Sequence, residues 1–283
     1  MFDRIEKGLY WDRLWRLVDG CTPCSPGCER CWSARYTHRF DGTYLGHTFT
    51  SLGEFNGLIR FNNENLDLPR RTRKPQSWLV LNDLFHEDVP DYFIKEALQV
   101  MRGENRHVYF LLTKRSKRMA EFFIRTRERI SPNIWLGVTV CNQQEADEKI
   151  PLLLQIPAAV RWVSVEPMLG PMEIIDKPWW DWRYSYDFYP KGFIKKPIDW
   201  IILGGESGPG ARPMHPDWAR SVRDQCQAAG LPFFFKQWGR TPYPANSDIF
   251  AWMNAGFDPY CKSKNGGREL DGREYSELPK GVK

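Results

Sequence analysis

Apolar runs separated by amphipathic segments recur along most of the chain. Six runs rich in β-branched or aromatic residues end in polar residues: Trp78–Asn82, His107–Thr113, Ile134–Val140, Val160–Val165, Trp200–Gly205 and Pro232–Lys236. Their first residues lie 26 to 40 positions apart. Near-continuous apolar runs are typical of strands that are buried on both faces of a parallel sheet. The pattern therefore predicts six parallel strands.

The segments between these runs have the period of amphipathic helices. Asp91–Met101 places its apolar residues on one face. Three further helices are predicted with their end signals: Ser116 capping Lys117–Thr126, Asn142 capping a segment toward Leu154, and Pro216 opening a segment that Gly230 ends. Alternating strands and helices at this spacing indicate an α/β fold built from βα repeats. We expect a partial (β/α)6-type, TIM-like barrel, with a doubly wound open sheet as the alternative.

Two long segments depart from this rhythm. Residues 177–197 interrupt it between two strands and interleave eight aromatic side chains with cationic ones. This aromatic insertion is interpreted as a lid on the barrel edge or as a surface that stacks on bases. Residues 239–283 form a polar, glycine-containing tail. We therefore expect one partial-barrel domain over 1–238, followed by a C-terminal extension over 239–283.

Composition and charge add little to this picture. The 283 residues are 42% hydrophobic and 27% charged, which is ordinary for a globular protein. A formal net charge of +5 permits an anionic partner without requiring one. No apolar run approaches the roughly 20 residues of a membrane span, and the N-terminus lacks the apolar core of a signal peptide. We expect a cytoplasmic protein without a membrane partner.

Four of the seven cysteines fall within eleven residues, in a segment over 19–32 that we call the cluster loop: Cys21, Cys24, Cys28 and Cys31. In a reducing cytoplasm, such a tight group of thiols indicates metal or redox chemistry rather than disulfide bonds. The other three cysteines, Cys141, Cys226 and Cys261, are scattered. They are predicted to be small residues of the core.

The spacing of the loop thiols allows two kinds of metal site. Cys24, Cys28 and Cys31 form C-x3-C-x2-C, the usual radical-SAM spacing, in which three thiolates hold three irons of a [4Fe–4S] cluster. The fourth iron is then open to S-adenosylmethionine. Alternatively, all four cysteines form two C-x2-C pairs around one zinc ion. Because zinc ribbons and fingers usually separate their pairs by a dozen or more residues, the short gap here favours iron–sulfur.

Longer stretches of the chain resemble one protein family. They are GCTPCSPGCERCWSARY, LNDLFHEDVP, YFLLTKRSKRMAEF, NIWLGVTVCNQQEADEKIPLLL, AAVRWVSVEPMLGPM, IDWIILGGESGPGARPMHPDWARSVRDQC, LPFFFKQWG and GRELDGREY. The family is a phage and prophage group of radical-SAM-like proteins, described by its three-cysteine motif and long catalogued as of unknown function. The resemblance covers nearly the whole chain.

The resemblance implies a barrel of the radical-SAM type that binds a [4Fe–4S] cluster and S-adenosylmethionine. The family spacing C-x6-C-x2-C favours Cys21, Cys28 and Cys31 as the cluster ligands, and Cys24 remains the competitor for the third position. The chain also departs from typical radical-SAM loops. Arg30 stands just before the last cysteine, where an aromatic residue is usual.

The implied function is generation of a 5′-deoxyadenosyl radical, with an electron donor of the flavodoxin or ferredoxin type. The phage setting, with the aromatic and basic content, predicts a nucleotide or nucleic-acid substrate in the host cytoplasm. Rearrangement or decoration of a hypermodified thymidine in phage DNA is the hypothesis. The alternative is a zinc-bound, non-catalytic nucleic-acid-binding protein. The sequence leaves the oligomeric state open.

The strand ends supply the remaining candidate residues, because loops at the carboxyl ends of barrel strands build active sites. We expect Asp83, Glu166 and Lys236 to be catalytic groups, although Glu166 and Lys236 are also interpreted as members of a salt bridge. Glycines after a strand let the backbone approach a ligand closely. The predicted cofactor-binding residues are Gly204, Gly205, Glu206, Ser207, Thr139, Ser164 and Trp32.

Overall fold

A curled parallel sheet of seven strands, a half-barrel, organises the protein in its computed structural model. The structure describes residues 1–40, 54–175, 177, 198–240, 249–258 and 265–279. Of the predicted aromatic insertion, only Lys177 lies within these ranges, and Cys261 lies outside them. The interpretations given for the insertion therefore stay predictions.

The strands confirm the βα rhythm that the sequence predicts. In chain order they are β1 (Arg13–Trp15), β2 (Val18–Asp19), β3 (Arg60–Phe61), β4 (Ser77–Val80), β5 (Val108–Thr113), β6 (Ile134–Thr139), β7 (Val160–Val165), β8 (Trp200–Gly204), β9 (Phe233–Gln237), β10 (Glu269–Leu270) and β11 (Arg273–Glu274). The half-barrel has the order β1-β4-β5-β6-β7-β8-β9, and each neighbouring pair is parallel. The doubly wound alternative is wrong, because that fold reverses its strand order at a switch point.

All six predicted runs form strands, and β1 adds a seventh that the sequence did not predict. Its first residue, Arg13, is exposed, and only Trp15 is buried. Because β1 has only three residues and one buried side chain, its sequence contains no apolar run that would predict a strand. Pairing with β4 makes this segment a strand, since Arg13, Leu14 and Trp15 align with Trp78, Leu79 and Val80.

Four helices, which begin at Asp91, Ser116, Gln143 and Pro216, lie where the sequence predicts them, and the other three described helices were not predicted. In chain order the helices are α1 (Trp32–Phe40), α2 (Leu68–Arg71), α3 (Asp91–Gly103), α4 (Ser116–Thr126), α5 (Gln143–Leu154), α6 (Pro216–Ala228) and α7 (Ile249–Asn254). Short 3-10 turns span Ile5–Lys7, Pro26–Cys28 and Asn63–Asn65. Within the described residues, none of the helices has the length and apolar character that crossing a membrane requires.

One predicted helix cap is confirmed and another is wrong. The Asn142 side chain accepts a hydrogen bond from the Glu145 backbone N–H at 2.9 Å and so caps α5. Ser116, by contrast, is the first residue of α4 rather than its cap. The Thr113 hydroxyl, at the end of β5, accepts a hydrogen bond from the Arg115 backbone N–H at 2.8 Å. Thr113, rather than Ser116, therefore provides a side-chain acceptor for a backbone N–H at the start of α4.

Apolar side chains fill both faces of the half-barrel. On the convex face, one large cluster joins alternate strand residues to the helices, as Leu111 and Leu136 illustrate beside Phe93 and Phe122. On the concave face, a second cluster has aromatic side chains at eight of its eleven buried positions. This two-sided burial is the physical reason for the near-continuous apolar runs in the sequence.

Tyr10 lies at the centre of the concave aromatic cluster. Its ring meets four rings of the sheet edge-on, with centroids 5.4 to 6.1 Å away: Phe110, Trp162, Trp200 and Phe234. Such edge-to-face pairs each add about 0.5–1.5 kcal/mol beyond the burial of their area. In the described part of the chain, the N-terminal segment therefore fills the concave face, and a cavity opens at the carboxyl edge of the sheet.

The described part of the C-terminal extension packs against the last strand of the sheet. Phe235 in β9 donates a backbone hydrogen bond to Tyr275, and Phe234 forms an antiparallel bridge with Ser276. Leu270 and Trp252 are buried in the large convex cluster. The extension thus completes the core beside β9 in the part that the structure describes.

Gly137 tests this packing, because an added methyl group would meet the Trp162 ring. An ideal Cβ at Gly137 lies 2.3 Å from the nearest Trp162 ring atom, and the Trp162 side chain is fully buried. We expect Gly137→Ala to lower the free energy of unfolding by about 1–3 kcal/mol, measured by urea denaturation. Gly103→Ala is the matched control, since nothing lies within 4 Å of its added Cβ. Equal effects of the two substitutions would contradict the packing described.

Candidate active-site cavity

A cavity of about 340 Å³ opens at the carboxyl edge of the sheet, between the strand ends and the cluster loop. This volume lies within the range of small-molecule sites. Twelve of the fourteen predicted site residues line it: Cys21, Cys28, Cys31, Trp32, Asp83, Thr139, Ser164, Glu166, Gly205, Glu206, Ser207 and Lys236. The structure therefore brings together most of the candidates that the sequence analysis collected from separate strands.

The two remaining candidates lie beside the cavity. Gly204 ends β8, and a Cβ there would lie 3.2 Å from the Glu166 Oε1 atom, so the glycine leaves space for that carboxylate. Cys24 is exposed and does not line the cavity, unlike the other three thiols of the cluster loop. The structure thus separates Cys24 from Cys21 by position, and the choice between them as a cluster ligand stays a prediction.

Local turns fix the shape of the cluster loop. Ser25 Oγ accepts a hydrogen bond from the Gly27 backbone N–H at 3.2 Å and caps the 3-10 turn Pro26–Cys28. Helix α1 then begins at Trp32, directly after Cys31. All four thiols of the loop are free. The loop thus presents unpaired thiols at the cavity wall.

The loop lies directly on the sheet edge, and Gly27 is the residue that permits this approach. A Cβ at Gly27 would lie 2.5 Å from Cys141 Sγ and 3.0 Å from Pro167 Cδ. Cys141 and Cys226 are buried, which confirms the prediction that they are core residues. Cys141 lies beneath the loop, where its Sγ is 3.7 Å from Ser25 Oγ.

The loop thiols differ sharply in acidity. A hydrogen bond from Cys24 and the nearby Lys114 ammonium lower the pKa of Cys28 to about 5 against the opposing effect of burial. The same hydrogen bond and burial raise the pKa of Cys24. Burial and the Asp83 carboxylate raise the pKa of Cys21 to about 11, although Arg115 opposes them. The hydrogen bond within the Cys24–Cys28 pair therefore favours ionisation of Cys28, whereas burial disfavours ionisation of Cys21 and Cys24.

Asp83 supports the loop through Arg115. The Asp83 carboxylate accepts hydrogen bonds from Thr113 Oγ1 at 2.6 Å and from Arg115 Nη1 at 3.2 Å. Arg115 Nη2 donates in turn to the Thr22 carbonyl at 2.9 Å, and its Nη1 lies 3.6 Å from Cys21 Sγ. Both charged side chains are buried. The catalytic role predicted for Asp83 stays a prediction, whereas its contacts hold Arg115 against the cluster loop.

Arg212 clamps the cluster loop to the glycine-rich segment after β8. It pairs with both oxygens of the buried Glu206 carboxylate, at 2.9 Å from Nε and 2.5 Å from Nη2. Its Nη2 also donates to the Pro26 carbonyl at 2.9 Å, and its Nη1 to Glu29 Oε2 at 2.9 Å. Arg30 adds a further hydrogen bond to the Gly210 carbonyl. Glu206 therefore lines the cavity with both of its carboxylate oxygens already hydrogen-bonded to Arg212.

Glu166 and Lys236 form an ion pair in the cavity wall. Lys236 Nζ lies 2.6 Å from Glu166 Oε1, and Glu166 Oε2 accepts a hydrogen bond from Ser164 Oγ at 2.9 Å. The Lys236 ammonium also lies 5.2 Å from the centroid of the Trp11 ring and 5.9 Å from that of Tyr10. Burial, with the charge of Glu166, raises the pKa of Tyr10 and keeps it neutral. The salt-bridge interpretation of this pair is confirmed.

The thiols fit a metal group by their chemistry, although they are not gathered around one point. Within the described ranges, no three His, Cys, Asp or Glu side chains are grouped so that they could hold a metal ion. A four-thiolate zinc site places each sulfur about 2.3 Å from the ion, so zinc would require the loop thiols to move together, and so would a cluster held by three of them. The donor set suits a thiolate-bound metal group, since the lowered pKa of Cys28 favours its thiolate and Lys114 and Arg115 offset negative charge.

Two arginines that hold the cluster loop, Arg115 and Arg212, were not predicted from the sequence. Arg115 directly follows Lys114 at the end of β5, so its position after a predicted strand was a usable signal. Arg212 lies in the loop before α6, which begins at Pro216, and it carried no signal of its own. Its partners, Glu29 and Pro26, lie at the other end of the chain.

These features define an α/β half-barrel protein with a thiol-lined cavity at the carboxyl edge of its sheet. The chain belongs to the family described as "Protein of unknown function (DUF5131)", whose model matches residues 6–279. No curated protein and no solved structure gives a significant match.

The acidity of Cys28 predicts a distinctive pH dependence of alkylation. Because the Cys28 pKa is lowered to about 5, its thiolate fraction rises as the pH passes 5, whereas Cys21, with a pKa of about 11, stays protonated. We expect iodoacetamide to label Cys28 of the metal-free protein with a midpoint near pH 5, measured by peptide mass spectrometry. Cys24→Ala removes the hydrogen bond and should move the midpoint upward. Identical curves for Cys28 and Cys21 would contradict the assigned environments.

Arg212→Met tests the clamp between the two loops. The substitution leaves the buried Glu206 carboxylate without its main partner, so we expect the free energy of unfolding to fall by about 2 kcal/mol. Alkylation of the cluster-loop thiols should also become faster. Arg220→Met is the matched control, because Arg220 pairs with Asp271 at an exposed site and should cost less than about 1 kcal/mol. Equal losses for both variants, with unchanged thiol reactivity, would argue against the clamp.

Proposed function

We propose that this protein is a radical-SAM enzyme that binds one [4Fe–4S] cluster through its cluster loop. Cys21, Cys28 and Cys31 would hold the cluster, which together with S-adenosylmethionine would supply radical chemistry that abstracts hydrogen from the substrate. The electron would come from a donor of the flavodoxin or ferredoxin type. We also propose that the protein is related to the radical-SAM-like phage proteins, that it is encoded by a phage, and that it acts in the host cytoplasm.

One observation carries the proposal: three thiols of one loop face the same cavity as the polar strand ends of a parallel half-barrel. Cys21, Cys28 and Cys31 line that cavity, and Cys24 does not. This arrangement supports the C-x6-C-x2-C ligand set over the C-x3-C-x2-C set. It also supports an enzymatic role, because the carboxyl edge is where barrel folds of this kind place their active sites.

The chain's own residues would prepare the site in three ways. Arg115 holds the Cys21 end of the loop through the Thr22 carbonyl. Lys114 lies beside the Cys28 and Cys31 thiols, and their charges raise its pKa against the effect of burial, so it stays cationic next to them. Arg212 fixes the loop to the segment after β8. Together these cations offset the negative charge of several thiolates in a partly buried site.

The proposed substrate is a nucleobase or nucleotide, with rearrangement or decoration of a hypermodified thymidine in phage DNA as the specific hypothesis. The substrate is proposed to bind in the cavity at the carboxyl edge of the sheet. Apolar and aromatic side chains at its wall, including Trp11, Leu79 and Leu112, suit the faces of a planar ring. Radical chemistry also needs exclusion of water, which these side chains favour.

Cluster assembly tests the proposal directly. After anaerobic reconstitution with iron and sulfide, we expect about four irons and four sulfides per chain. The reduced protein should give an EPR signal that changes on addition of S-adenosylmethionine. Cys21→Ser, Cys28→Ser and Cys31→Ser should each abolish iron binding, while Cys24→Ser is the matched control within the same loop and should retain it. Zinc at one ion per chain without iron would overturn the enzyme proposal and favour a zinc-bound, non-catalytic nucleic-acid-binding protein.

A further inference from the structure

Helix α1 presents two exposed aromatic side chains at the mouth of the cavity. Trp32 and Tyr36 are 42% and 41% exposed, and their ring centroids lie 6.1 Å apart. Because large aromatic side chains bury most of their surface in folded proteins, two that are exposed side by side indicate a binding surface. Trp32 also lines the cavity, so this exposed face is continuous with the candidate active site.

A contact on the inner side of α1 fixes which of its faces points outward. Ser33 is buried, and its Oγ atom donates a hydrogen bond to Asn82 Oδ1 at 2.6 Å. Residues at positions i, i+3 and i+4 share one face of a helix. Trp32, Arg35 and Tyr36 have this spacing and therefore lie together on one face, which we call the α1 face.

Arg35 brings an uncompensated positive charge to the α1 face. Its Nη1 donates a hydrogen bond to the Pro209 carbonyl at 3.3 Å, in the glycine-rich segment after β8. Within the described ranges, no aspartate or glutamate forms an ion pair with Arg35. A guanidinium has five N–H donors, and the contact with Pro209 uses one of them. Arg35 can therefore still bind an anionic group at the rim of the cavity.

The sequence around α1 has the same charge bias. Residues 30–40 contain three arginines and neither aspartate nor glutamate. Exposed aromatic rings beside cationic side chains are the components with which proteins bind single-stranded nucleic acid, because bases stack on the rings and phosphates attract the cations. The α1 face is therefore complementary to a nucleic-acid strand in both shape and charge.

The position of the face favours a strand over a protein partner. Protein interfaces also use tryptophan, tyrosine and arginine as their main binding residues. Here, however, Trp32 belongs to the cavity wall as well as to the exposed face, so the occupant of the face adjoins the occupant of the cavity. A base must leave a duplex before it can enter an enzyme cavity, and single-stranded DNA already offers unstacked bases.

We propose that the α1 face binds single-stranded DNA beside the nucleotide that is held in the cavity. Trp32 and Tyr36 stack on bases that flank the target nucleotide, and Arg35 contacts a phosphate of the same strand. This inference rests on the proposed function, from which it takes DNA as the substrate. It adds that the protein acts on a nucleotide within a strand rather than on a free nucleotide.

Fluorescence anisotropy on the full-length, metal-free protein tests the preference for a strand. The probe is a labelled oligothymidylate of about twelve nucleotides, a length within the site sizes of single-strand-binding proteins. Its competitors are thymidine 5′-monophosphate, the corresponding duplex, and the oligoribonucleotide of the same length. We expect the single-stranded DNA to bind about tenfold or more tightly than the mononucleotide and the duplex, since each stacked base adds affinity.

An aromatic variant outside the cavity connects this binding to the α1 face. Tyr36 does not line the cavity, so Tyr36→Ala should weaken binding of the oligonucleotide about fivefold or more and leave binding of the mononucleotide unchanged. Tyr36→Phe retains the ring and should retain the affinity. Tyr92→Ala is the matched control, because Tyr92 is an exposed tyrosine of α3 that also lies outside the cavity.

The salt dependence of binding tests the role of Arg35. For a single strand, each phosphate contact contributes about 0.7 to the slope of log affinity against log salt concentration. Arg35→Met should therefore reduce the slope by about this amount. Arg220→Met is the matched control, because Arg220 pairs with Asp271 and should leave the slope unchanged. If a variant does not fold, as judged by thermal unfolding, the oligonucleotide and mononucleotide comparison on the unmodified chain decides the question.

The outcomes separate this inference from the proposed function. Equal affinity for the oligonucleotide and the mononucleotide would overturn the α1 face as a DNA site, and so would tighter binding of the duplex or the oligoribonucleotide. Strand binding that neither Tyr36→Ala nor Arg35→Met weakens would overturn it too. Failure to bind any oligonucleotide would overturn it and leave the face to a protein partner. Single-strand binding by a chain that assembles no cluster would support the α1 face and overturn the radical-SAM proposal.

Discussion

The packing of rings around Tyr10 is the interaction on which the rest of the structure depends. A half-barrel has a concave face that must be filled, and the chain fills it from its N-terminal segment with one tyrosine surrounded by rings from the sheet. The concave face of the sheet is therefore filled by packed side chains. The carboxyl edge remains open, and the cluster loop, the ion pair and the glycine-rich segment gather there.

The electrostatic arrangement of the site follows from this geometry. Burial at the sheet edge raises the pKa of Cys21, while hydrogen bonding from Cys24 lowers that of Cys28. The loop thus contains thiols of different acidity, and cationic side chains from neighbouring strands accompany them. Arg115 and Arg212 hold the two ends of the loop, one through the end of β5 and the other through the segment after β8.

Much of this organisation could be predicted from the sequence, for a definite physical reason. Strands buried on both faces have continuous apolar runs, so the six runs marked β4 to β9 correctly. The ends of parallel strands meet at one edge, so polar residues far apart in sequence, such as Asp83 and Lys236, could be assigned to one cavity. The short β1 could not be predicted, because pairing with β4 rather than local pattern makes it a strand. The contact of Arg212 with Glu29 could not be predicted either, because it depends on how two loops meet.

The central position of Tyr10 has a consequence for how the chain is made. Tyr10 is synthesised long before one of its ring partners, Phe234, which belongs to the last strand in the sheet order. During synthesis the aromatic contacts of Tyr10 therefore cannot be completed until β9 has emerged. Closure of the concave face is a late, long-range event in folding, and such contacts are intrinsically slow to form. Nascent chains that stop before β9 would expose an aromatic surface for which chaperones have high affinity.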